Sequence, residues 1–208
     1  MSTPRPRRSK RSTVDKLLDA AEARFARGGY EATSLGDIAG DVRIRAPSVY
    51  KHFASKRDLY EAVLKRLLDP YAALLGELLT APDSPEHAAR NAEAVFEHYV
   101  NTPNLARLVQ YAALSGGEEL DLLVKRWYAP LFARAGALSE SAGRQGSGKK
   151  KRRRDALEIV TLFHAMLSGY VTLAPLHARL LGEDPHGPAA RARHAALLRA
   201  VASGLWSL

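Results

Sequence analysis

The sequence predicts an all-α protein, and three features of its pattern support this prediction. Apolar residues recur at spacings of three and four through most of the 208 residues, which is typical of helices with one buried face. No segment alternates apolar and polar residues between turn signals, as a half-buried strand would. Clusters of glycine, proline, serine and asparagine divide the chain into about nine helical segments.

The composition limits the classes of function. The formal charge of +9 favours a polyanionic partner, either nucleic acid or an anionic membrane surface. The absence of cysteine excludes disulfides, thiol catalysis and thiolate metal sites. No apolar run approaches the roughly 20 residues of a membrane-spanning helix. The basic N-terminus is not followed by the apolar stretch of a secretory signal. We therefore expect a soluble cytoplasmic protein without a membrane partner.

The N-terminal segment combines a basic arm with a helix. Residues 1–12 are basic, polar and proline-containing, which predicts a disordered arm. Arginines 5, 7 and 8 of this arm either remain disordered or lie in a DNA minor groove. The first helix stops at the glycine pair 28–29. Its predicted apolar stripe is Val14, Leu18, Ala21 and Phe25.

Two short helices and the beginning of a longer one are predicted next. Ser34 with Asp37 three residues later is a capping-box start, and Ser55 with Asp58 is a second one. The helix between them, residues 46–52, opens at a proline whose missing N–H does no harm at this position. Short helices joined by a tight turn are typical of a helix-turn-helix motif.

The middle helix of this motif has one apolar and one polar face. Val49 and Phe53 face inward in the predicted helix, which leaves Ser48, Lys51 and His52 turned outward. A short helix whose free face carries hydroxyl, ammonium and imidazole groups suits the major groove of DNA. The sequence therefore predicts that this segment reads DNA.

The boundary between two domains is predicted at residue 60. Residues 13–60 form a helix-turn-helix DNA-binding domain, and residues 61–208 form a helical bundle of about six helices. Within the bundle, the clearest helical segments are 87–101, 104–114, 118–138, 155–181 and 189–206. Residues 139–154 contain glycine, serine and six consecutive cations, which predicts a flexible basic loop. Three interpretations of this loop are open: a solvated connection between two helices, an additional non-specific attraction for DNA, or a targeting signal.

Aromatic and polar side chains of the second domain are candidates for a ligand pocket. Aromatics at helical spacing are usually core, but a pocket between helices would be lined by some of them. The candidates are Phe96, Tyr99, Gln110, Tyr111, Trp127, Tyr128, His164 and Tyr170. His164 has apolar neighbours, so it is a buried histidine with a satisfied hydrogen bond, a ligand contact or a metal ligand. Because no His-x-x-x-His spacing or carboxylate cluster accompanies it, we expect neither a metal nor a cofactor.

Three segments, RGGYEATS, LGDIA and SVYKHFASKRDLYEAVL, resemble in this order the DNA-binding end of TetR/AcrR-type transcriptional regulators. The resemblance covers residues 13 to about 65. It implies a homodimer that reads both half-sites of a palindromic operator in double-stranded DNA. It also implies that residues 61–208 bind a small-molecule inducer and dimerise. Inducer binding would release a repressor from DNA, although activation in place of repression remains an alternative.

The resemblance also implies roles for individual residues. Tyr50 and Lys56 match phosphate contacts of the family. The positions from which base-edge or flanking contacts usually come are Arg45, Pro47, Ser48, Lys51 and His52. From the residues alone, Tyr50 could instead be a half-buried core aromatic and Lys56 an ordinary exposed lysine.

Two residues of the turn depart from the family pattern. Arg43 stands where a glycine usually supplies the turn, so it must adopt a left-handed backbone or shift the turn geometry. Arg45 replaces the usual N-cap hydroxyl, which costs about 1 kcal/mol of capping but adds a cation at the groove.

Dimerisation is expected from the last two helices, 155–181 and 189–206. Their apolar content exceeds what one buried face of a monomer would need. The residues concerned are Leu157, Val160, Leu167, Val171, Leu197, Leu198, Val201, Leu205 and Trp206. The alternative is that all of this apolar surface is buried within one chain.

Other classes of function compete with a regulator. A non-specific or architectural DNA-binding protein would use the basic arm and the basic loop. An all-α enzyme would use a buried acid–base histidine, but no nucleophile–base pair, phosphate-binding glycine loop or metal spacing supports it. We therefore expect no enzymatic activity. The helix-turn-helix motif argues against a small-molecule binding protein that does not bind DNA.

Overall fold

The computed structural model describes residues 12–78, 84–141 and 149–206. These residues form eleven α-helices and one π-helical segment, and they contain no strand. The all-α class, with an N-terminal three-helix motif and a C-terminal bundle, is confirmed. The first four helices are α1 (Thr13–Gly28), α2 (Leu35–Val42), α3 (Ala46–Val49) and α4 (Lys56–Leu78). The others are α5 (Pro85–Asn101), α6 (Pro103–Ser115), α7 (Gly117–Leu123), the π segment (Val124–Tyr128), α8 (Ala129–Ser141), α9 (Lys149–Thr172), α10 (Ala174–Leu181) and α11 (Pro188–Trp206).

The chain divides into two compact units between Leu64 and Lys65, within α4. In the first unit α1 packs on α2, and α2 packs on α3. Its core contains Leu17, Ala21, Phe25, Ile38, Val49, Leu59, Tyr60 and Val63. The buried stripe of α1 therefore passes through Leu17, whereas the prediction placed Val14 and Leu18 on it. Val14, in the first turn of α1, is exposed, and Leu18 is half-buried.

Local hydrogen bonds fix the helix starts of the first unit. The Ser34 hydroxyl accepts from the amide of Asp37 at 3.1 Å, and the Ser55 hydroxyl accepts from the amide of Asp58 at 3.0 Å, so both predicted starts are confirmed. Arg43 has φ 60° and ψ 42°. This residue therefore adopts the left-handed conformation that one of the two predicted alternatives required.

The middle helix of the motif is shorter than predicted. α3 ends at Val49, and residues 50–52 form a turn, whereas the predicted helix ran over 46–52. The amides of His52 and Phe53 both donate to the carbonyl of Val49, at 2.9 and 3.0 Å. Because two amides share one carbonyl, the regular helical ladder ends there.

The second unit differs from the prediction at four places. α9 begins at Lys149, so residues 149–154 lie in a helix and not in the predicted flexible loop 139–154. Lysine and arginine are good helix formers, which accounts for this difference. α8 extends to Ser141, and residues 142–148 lie outside the described residues. The predicted helix 155–181 is broken at Leu173, and the π segment interrupts the predicted helix 118–138.

Prolines account for both interruptions. Pro175 is the second residue of α10, and its ring disfavours a continuous helix through the turn before it. Pro130 follows the π segment and cannot donate to the carbonyl four residues earlier. In contrast, α4 continues through Pro70 to Leu78. The second unit is built mainly from α11 packed along α5, with α9 in contact with α5, α6, α8 and α10.

Candidate nucleic-acid interface and ligand site

The segment from α3 through the following turn presents the predicted DNA-contacting side chains. Val49 is buried, whereas the Tyr50 side chain is 59% exposed. Of the other predicted residues, Arg45, Pro47, Lys51 and His52 are exposed, and Ser48 and Lys56 are half-buried. Tyr50 is therefore not a core aromatic. Among the described residues, no hydrogen bond or ion pair engages the side chains of Tyr50, Arg45 or Lys51.

An ion pair between α1 and α2 supports this segment. The Arg24 guanidinium donates to both carboxylate oxygens of Asp41, at 2.7 and 2.8 Å. This hydrogen bond holds the pKa of Asp41 below its ordinary value. Bidentate pairs fix orientation as well as distance, so Arg24 aligns α1 with the helix that precedes the turn. The sequence prediction did not identify this pair, because its two residues lie 17 positions apart on different helices.

Lys56 is held in place by Tyr30. The Lys56 ammonium donates to the Tyr30 carbonyl at 3.0 Å and lies 4.1 Å from the centroid of the Tyr30 ring. That ring packs against Tyr60, at 4.9 Å between centroids, and against Phe25, at 5.9 Å. An ammonium has three N–H donors, so this arrangement orients Lys56 and leaves donor capacity for a phosphate. Tyr30 lies in the segment RGGYEATS that resembles the family, but the sequence did not predict that it would hold Lys56 in place.

A cluster of three tyrosines and two histidines lies in the second unit, and we call it the hydroxyl–imidazole cluster. The Tyr99 hydroxyl and His164 Nδ1 are 2.9 Å apart, in hydrogen-bond contact. The Tyr71 ring packs edge-on against Tyr99 and parallel to His98, at 5.3 and 5.5 Å. The Tyr128 ring lies edge-on to His164 at 5.4 Å. Tyr71 was not predicted as a site residue, although its position four residues after Leu67 continues the apolar stripe of α4.

A small cavity borders this cluster. Its volume is about 10 Å³. It is lined by Leu68, Tyr71, Ala72, Trp127, Tyr128 and Leu131. The indole N–H of Trp127 donates to the Asp69 carboxylate at 2.9 Å, which orients the indole ring. The π segment therefore supplies two aromatic walls of the cavity. Short π-helical segments occur frequently at functional sites.

Burial keeps the cluster uncharged. It raises the pKa of Tyr71, Tyr99 and Tyr128, and it lowers the pKa of His98 and His164. Both shifts favour the neutral form of each group near neutral pH. The His98 Nε2 atom of the cluster is buried and has no hydrogen-bond partner among the described residues.

The other predicted pocket residues lie elsewhere in the second unit. Phe96 and Tyr170 belong to a second aromatic group with His194. The His194 ring stacks on the Phe96 ring at 5.3 Å and on the Tyr170 ring at 3.9 Å between centroids. The Tyr170 hydroxyl donates to the carbonyl of Pro185. Gln110 and Tyr111 are not among the residues that line the cavity. The eight predicted residues are therefore divided, and Tyr99, Trp127, Tyr128 and His164 are the ones at the cavity or the cluster.

Two negative findings apply to the described residues. No group of three or more histidine, aspartate or glutamate side chains within residues 12–78, 84–141 and 149–206 could hold a metal ion. His164 instead has the hydrogen bond to Tyr99 that the prediction gave as one alternative. Across the same residues, no helix combines the length and apolar character needed to cross a membrane.

Acidification is expected to destabilise the protein through its half-buried histidines. The folded-state pKa of His164 is lower than the unfolded value of about 6.5, so the unfolded chain binds the proton more readily. Stability is therefore fully present above pH 6.5 and decreases as the pH falls below it. The slope is at most about 1.4 kcal/mol per pH unit for one histidine. Urea unfolding between pH 8 and pH 5 measures this slope.

The variant His164→Gln is expected to reduce the slope of stability against pH, because glutamine does not titrate. His52→Gln serves as the control, because His52 is exposed and lies in the other unit. An unchanged slope in His164→Gln would show that His164 does not contribute to the acid sensitivity.

Comparisons with known proteins identify the N-terminal motif. The family described as bacterial regulatory proteins, tetR family, matches residues 17–63. The chain is 27% identical over 116 residues to the Transposon Tn10 TetC protein of Escherichia coli, which covers 53% of this chain and 57% of that protein. It is 44% identical over 59 residues to the HTH-type transcriptional repressor ComR of Escherichia coli, which covers 28% of each chain. The chain thus spans between 28% and 57% of these curated relatives.

A solved structure shows that the fold extends beyond the motif. The crystal structure of a TetR-like transcriptional regulator from Rhodococcus sp. RHA1 has a TM-score of 0.64 and 21% sequence identity, covering 97% of this chain and 100% of that one. The matched family and the named repressor are regulatory proteins and not enzymes, in agreement with the sequence prediction. Residues 17–63 of the chain are therefore similar to the tetR family of bacterial regulatory proteins, and the chain shares the fold of the TetR-like regulator.

Proposed function

We propose that the protein is a dimeric cytoplasmic repressor that binds a palindromic operator and is released by a small molecule bound in its C-terminal domain. The observation that carries the proposal is the exposed and unpaired set of side chains on α3 and the following turn. Val49 anchors this segment in the core, so that Tyr50, Lys51 and Arg45 remain free to contact DNA. Phenol and cationic donors at this position suit phosphates and base edges.

In this proposal, one set of residues contacts the bases and another set binds the phosphates. Ser48, Lys51 and His52, with Arg45 and Pro47 at the start of α3, contact base edges or their flanks. Tyr50 and Lys56 bind phosphates, which position the protein without carrying sequence information. The contacts of Lys56 with Tyr30 reduce the conformational freedom that the lysine would lose on binding DNA.

Exposed apolar residues on the last three helices support the homodimer. Leu162 on α9 and Leu197 on α11 are 67% and 64% exposed in the isolated chain. Met166, Leu173, Leu176, Leu180, Leu181 and Val201 are further exposed apolar residues of α9–α11 or the break between α9 and α10. Their exposure favours burial against a second copy, whereas Leu167, Val171 and Leu198 are buried within the chain. A dimer would present two DNA-reading segments to two half-sites.

Selection of bound sequences from a random duplex library tests the proposal. The wild-type protein is expected to enrich one palindrome. The Tyr50→Ala, Lys51→Ala double variant is expected to lose this enrichment, because it removes two exposed contacts without changing the core. Leu114→Ala is a matched control, since Leu114 is exposed on α6 and lies in the other unit.

Charge-driven binding is the competing function. The six cations at 149–154 in the first turns of α9, together with the basic arm, would attract any DNA backbone. That function predicts salt-dependent binding without an enriched sequence and with equal retention of the wild type and the double variant. Such a result would refute the proposed function as a sequence-specific repressor.

A further inference from the structure

We propose that Arg43, in the turn between α2 and α3, is a further DNA contact whose guanidinium binds a backbone phosphate. This inference rests on the proposed function, in which α3 and the following turn bind DNA, and it adds one residue to that surface. It follows from a left-handed backbone that lowers stability, from a charged side chain without a partner and from the place of the residue in the motif.

Two hydrogen bonds fix the backbone of Arg43 in the left-handed conformation. The Arg43 amide donates to the Gly40 carbonyl, and the Ile44 amide donates to the Ala39 carbonyl, each at 3.0 Å. This pair of bonds is the Schellman motif, in which the residue that follows the helix has a positive φ and is usually glycine. Among the described residues, Arg43 is the one residue other than glycine with a positive φ. The turn therefore cannot relax around the arginine without losing both bonds.

The left-handed conformation makes arginine an unfavourable residue at this position. For a residue with a Cβ atom it lowers the ratio of folded to unfolded protein by a factor of about 5 to 30, and glycine avoids this loss. A cation at the C-terminus of α2 interacts favourably with the helix dipole, but at an exposed site this raises the same ratio at most about fivefold. The favourable effect is the smaller one, so the stability of the fold favours glycine here.

The Arg43 side chain is exposed and makes no hydrogen bond or ion pair within the part of the chain that the structure describes. The nearest carboxylate along the chain is that of Asp41. Both of its oxygens accept from the Arg24 guanidinium, at 2.7 and 2.8 Å. Arg43 therefore has all of its donors available for an anion. A guanidinium presents these N–H donors in a planar fork that matches the oxygens of a phosphate.

The position of Arg43 in the motif favours the DNA backbone as the source of that phosphate. Arg43 directly follows α2 and precedes Arg45, the N-cap of α3, by two residues, so the two Cα atoms lie within about 7 Å of each other. In a helix-turn-helix, the second helix enters the major groove and the first one crosses the sugar–phosphate backbone. A side chain at the end of α2 is therefore placed to meet a phosphate, which contributes affinity and register without reading the sequence.

Binding of the full chain to the selected operator at a series of salt concentrations tests the inference. Arg43→Gly is expected to weaken binding about tenfold for each bound copy, because one charged hydrogen-bond contact is lost. It is also expected to reduce the slope of log affinity against log salt by about 0.9 for each copy. The same variant should raise the unfolding temperature by about 2–4 °C, because glycine relieves the left-handed turn. The expected result is thus a more stable protein that binds DNA more weakly.

Two further variants separate the charge from the backbone. Arg43→Lys keeps the cation and is expected to keep the wild-type salt slope. Arg107→Gln removes an exposed cation from α6 in the second unit and is expected to leave affinity and slope close to those of the wild type. If Arg43→Gly has the same salt slope as Arg107→Gln, the inference is wrong even where its affinity is lower. A more flexible turn weakens binding without removing a phosphate contact.

The same titration distinguishes the inference from the proposed function. If the wild type selects no operator, a duplex of random sequence takes its place, because a phosphate contact does not depend on sequence. A reduced salt slope of Arg43→Gly on that duplex would support the phosphate contact, while the sequence-specific repressor fails. If the wild type selects one palindrome and Arg43→Gly keeps the full salt slope, the repressor stands and the contact by Arg43 is excluded. An unchanged slope on the random duplex excludes it as well.

Discussion

Replacement of Leu197 by arginine is expected to convert the proposed dimer to a monomer and to weaken binding to the proposed operator by a factor of about 10² to 10⁴. Leu197 is an exposed apolar residue of α11, and the proposed interface would bury it. A buried arginine without a partner is strongly unfavourable, and the variant places one in each copy. The two DNA-reading segments would then bind half-sites independently, without the effective concentration that a dimer provides. Light scattering and operator titration measure the two effects.

Leu114→Arg is the control for this substitution. Leu114 is 86% exposed on α6, so the same change adds the same charge outside α9–α11. This variant and the wild type should both have a mass near twice the chain mass of 22.7 kDa. A Leu197→Arg protein that remains a dimer with wild-type operator affinity would exclude this face of α11 from the interface.

The features that the sequence predicted correctly depend on neighbouring residues. The capping contacts of Ser34 and Ser55 each involve an amide three residues away, so a short pattern is sufficient to predict them. The left-handed backbone of Arg43 could be anticipated as one of two alternatives, because a glycine normally occupies that position of the turn. The outward position of Lys51 also follows from the spacing of apolar residues within one short segment.

The features that were missed depend on contacts between distant residues. Tyr30 supports Lys56 across 26 positions, and Tyr99 bonds His164 across 65 positions. Composition and spacing indicate that such aromatics are buried, but they do not indicate which of them meet. Tyr99, Tyr128 and His164 therefore fall in one aromatic group and Phe96 and Tyr170 in another, whereas Gln110 and Tyr111 belong to neither, and Tyr71 was not predicted. The basic run at 149–154 was assigned to the flexible loop because a glycine- and serine-containing segment precedes it, although lysine and arginine have high helix propensity.

Phe25→Ala is expected to destabilise the helix-turn-helix domain by about 3–5 kcal/mol. Phe25 has no exposed surface, and its ring lies edge-on to Tyr60 at 5.0 Å and stacks on Tyr30 at 5.9 Å. Removal of the Phe25 ring leaves a cavity beside Tyr30, the residue that holds Lys56 in place. A loss of this size is a large fraction of the roughly 5–15 kcal/mol that stabilises a typical protein. Hydrogen exchange of the full chain should show reduced protection in α1 and α2.

The equally buried Phe96 provides a matched control, because Phe96→Ala should reduce protection in the second unit, in α5 and α11. A loss below about 1 kcal/mol in Phe25→Ala would contradict the predicted role of this core. Operator DNA distinguishes a variant that is destabilised from one that has lost its contacts with DNA. A ligand at 100 times its Kd stabilises the folded state by about 2.7 kcal/mol, but only if the protein can still bind it. Saturating operator should therefore raise the unfolding temperature of Phe25→Ala. The same DNA concentration should have little effect on the Tyr50→Ala, Lys51→Ala double variant, because that protein is folded but cannot bind the operator.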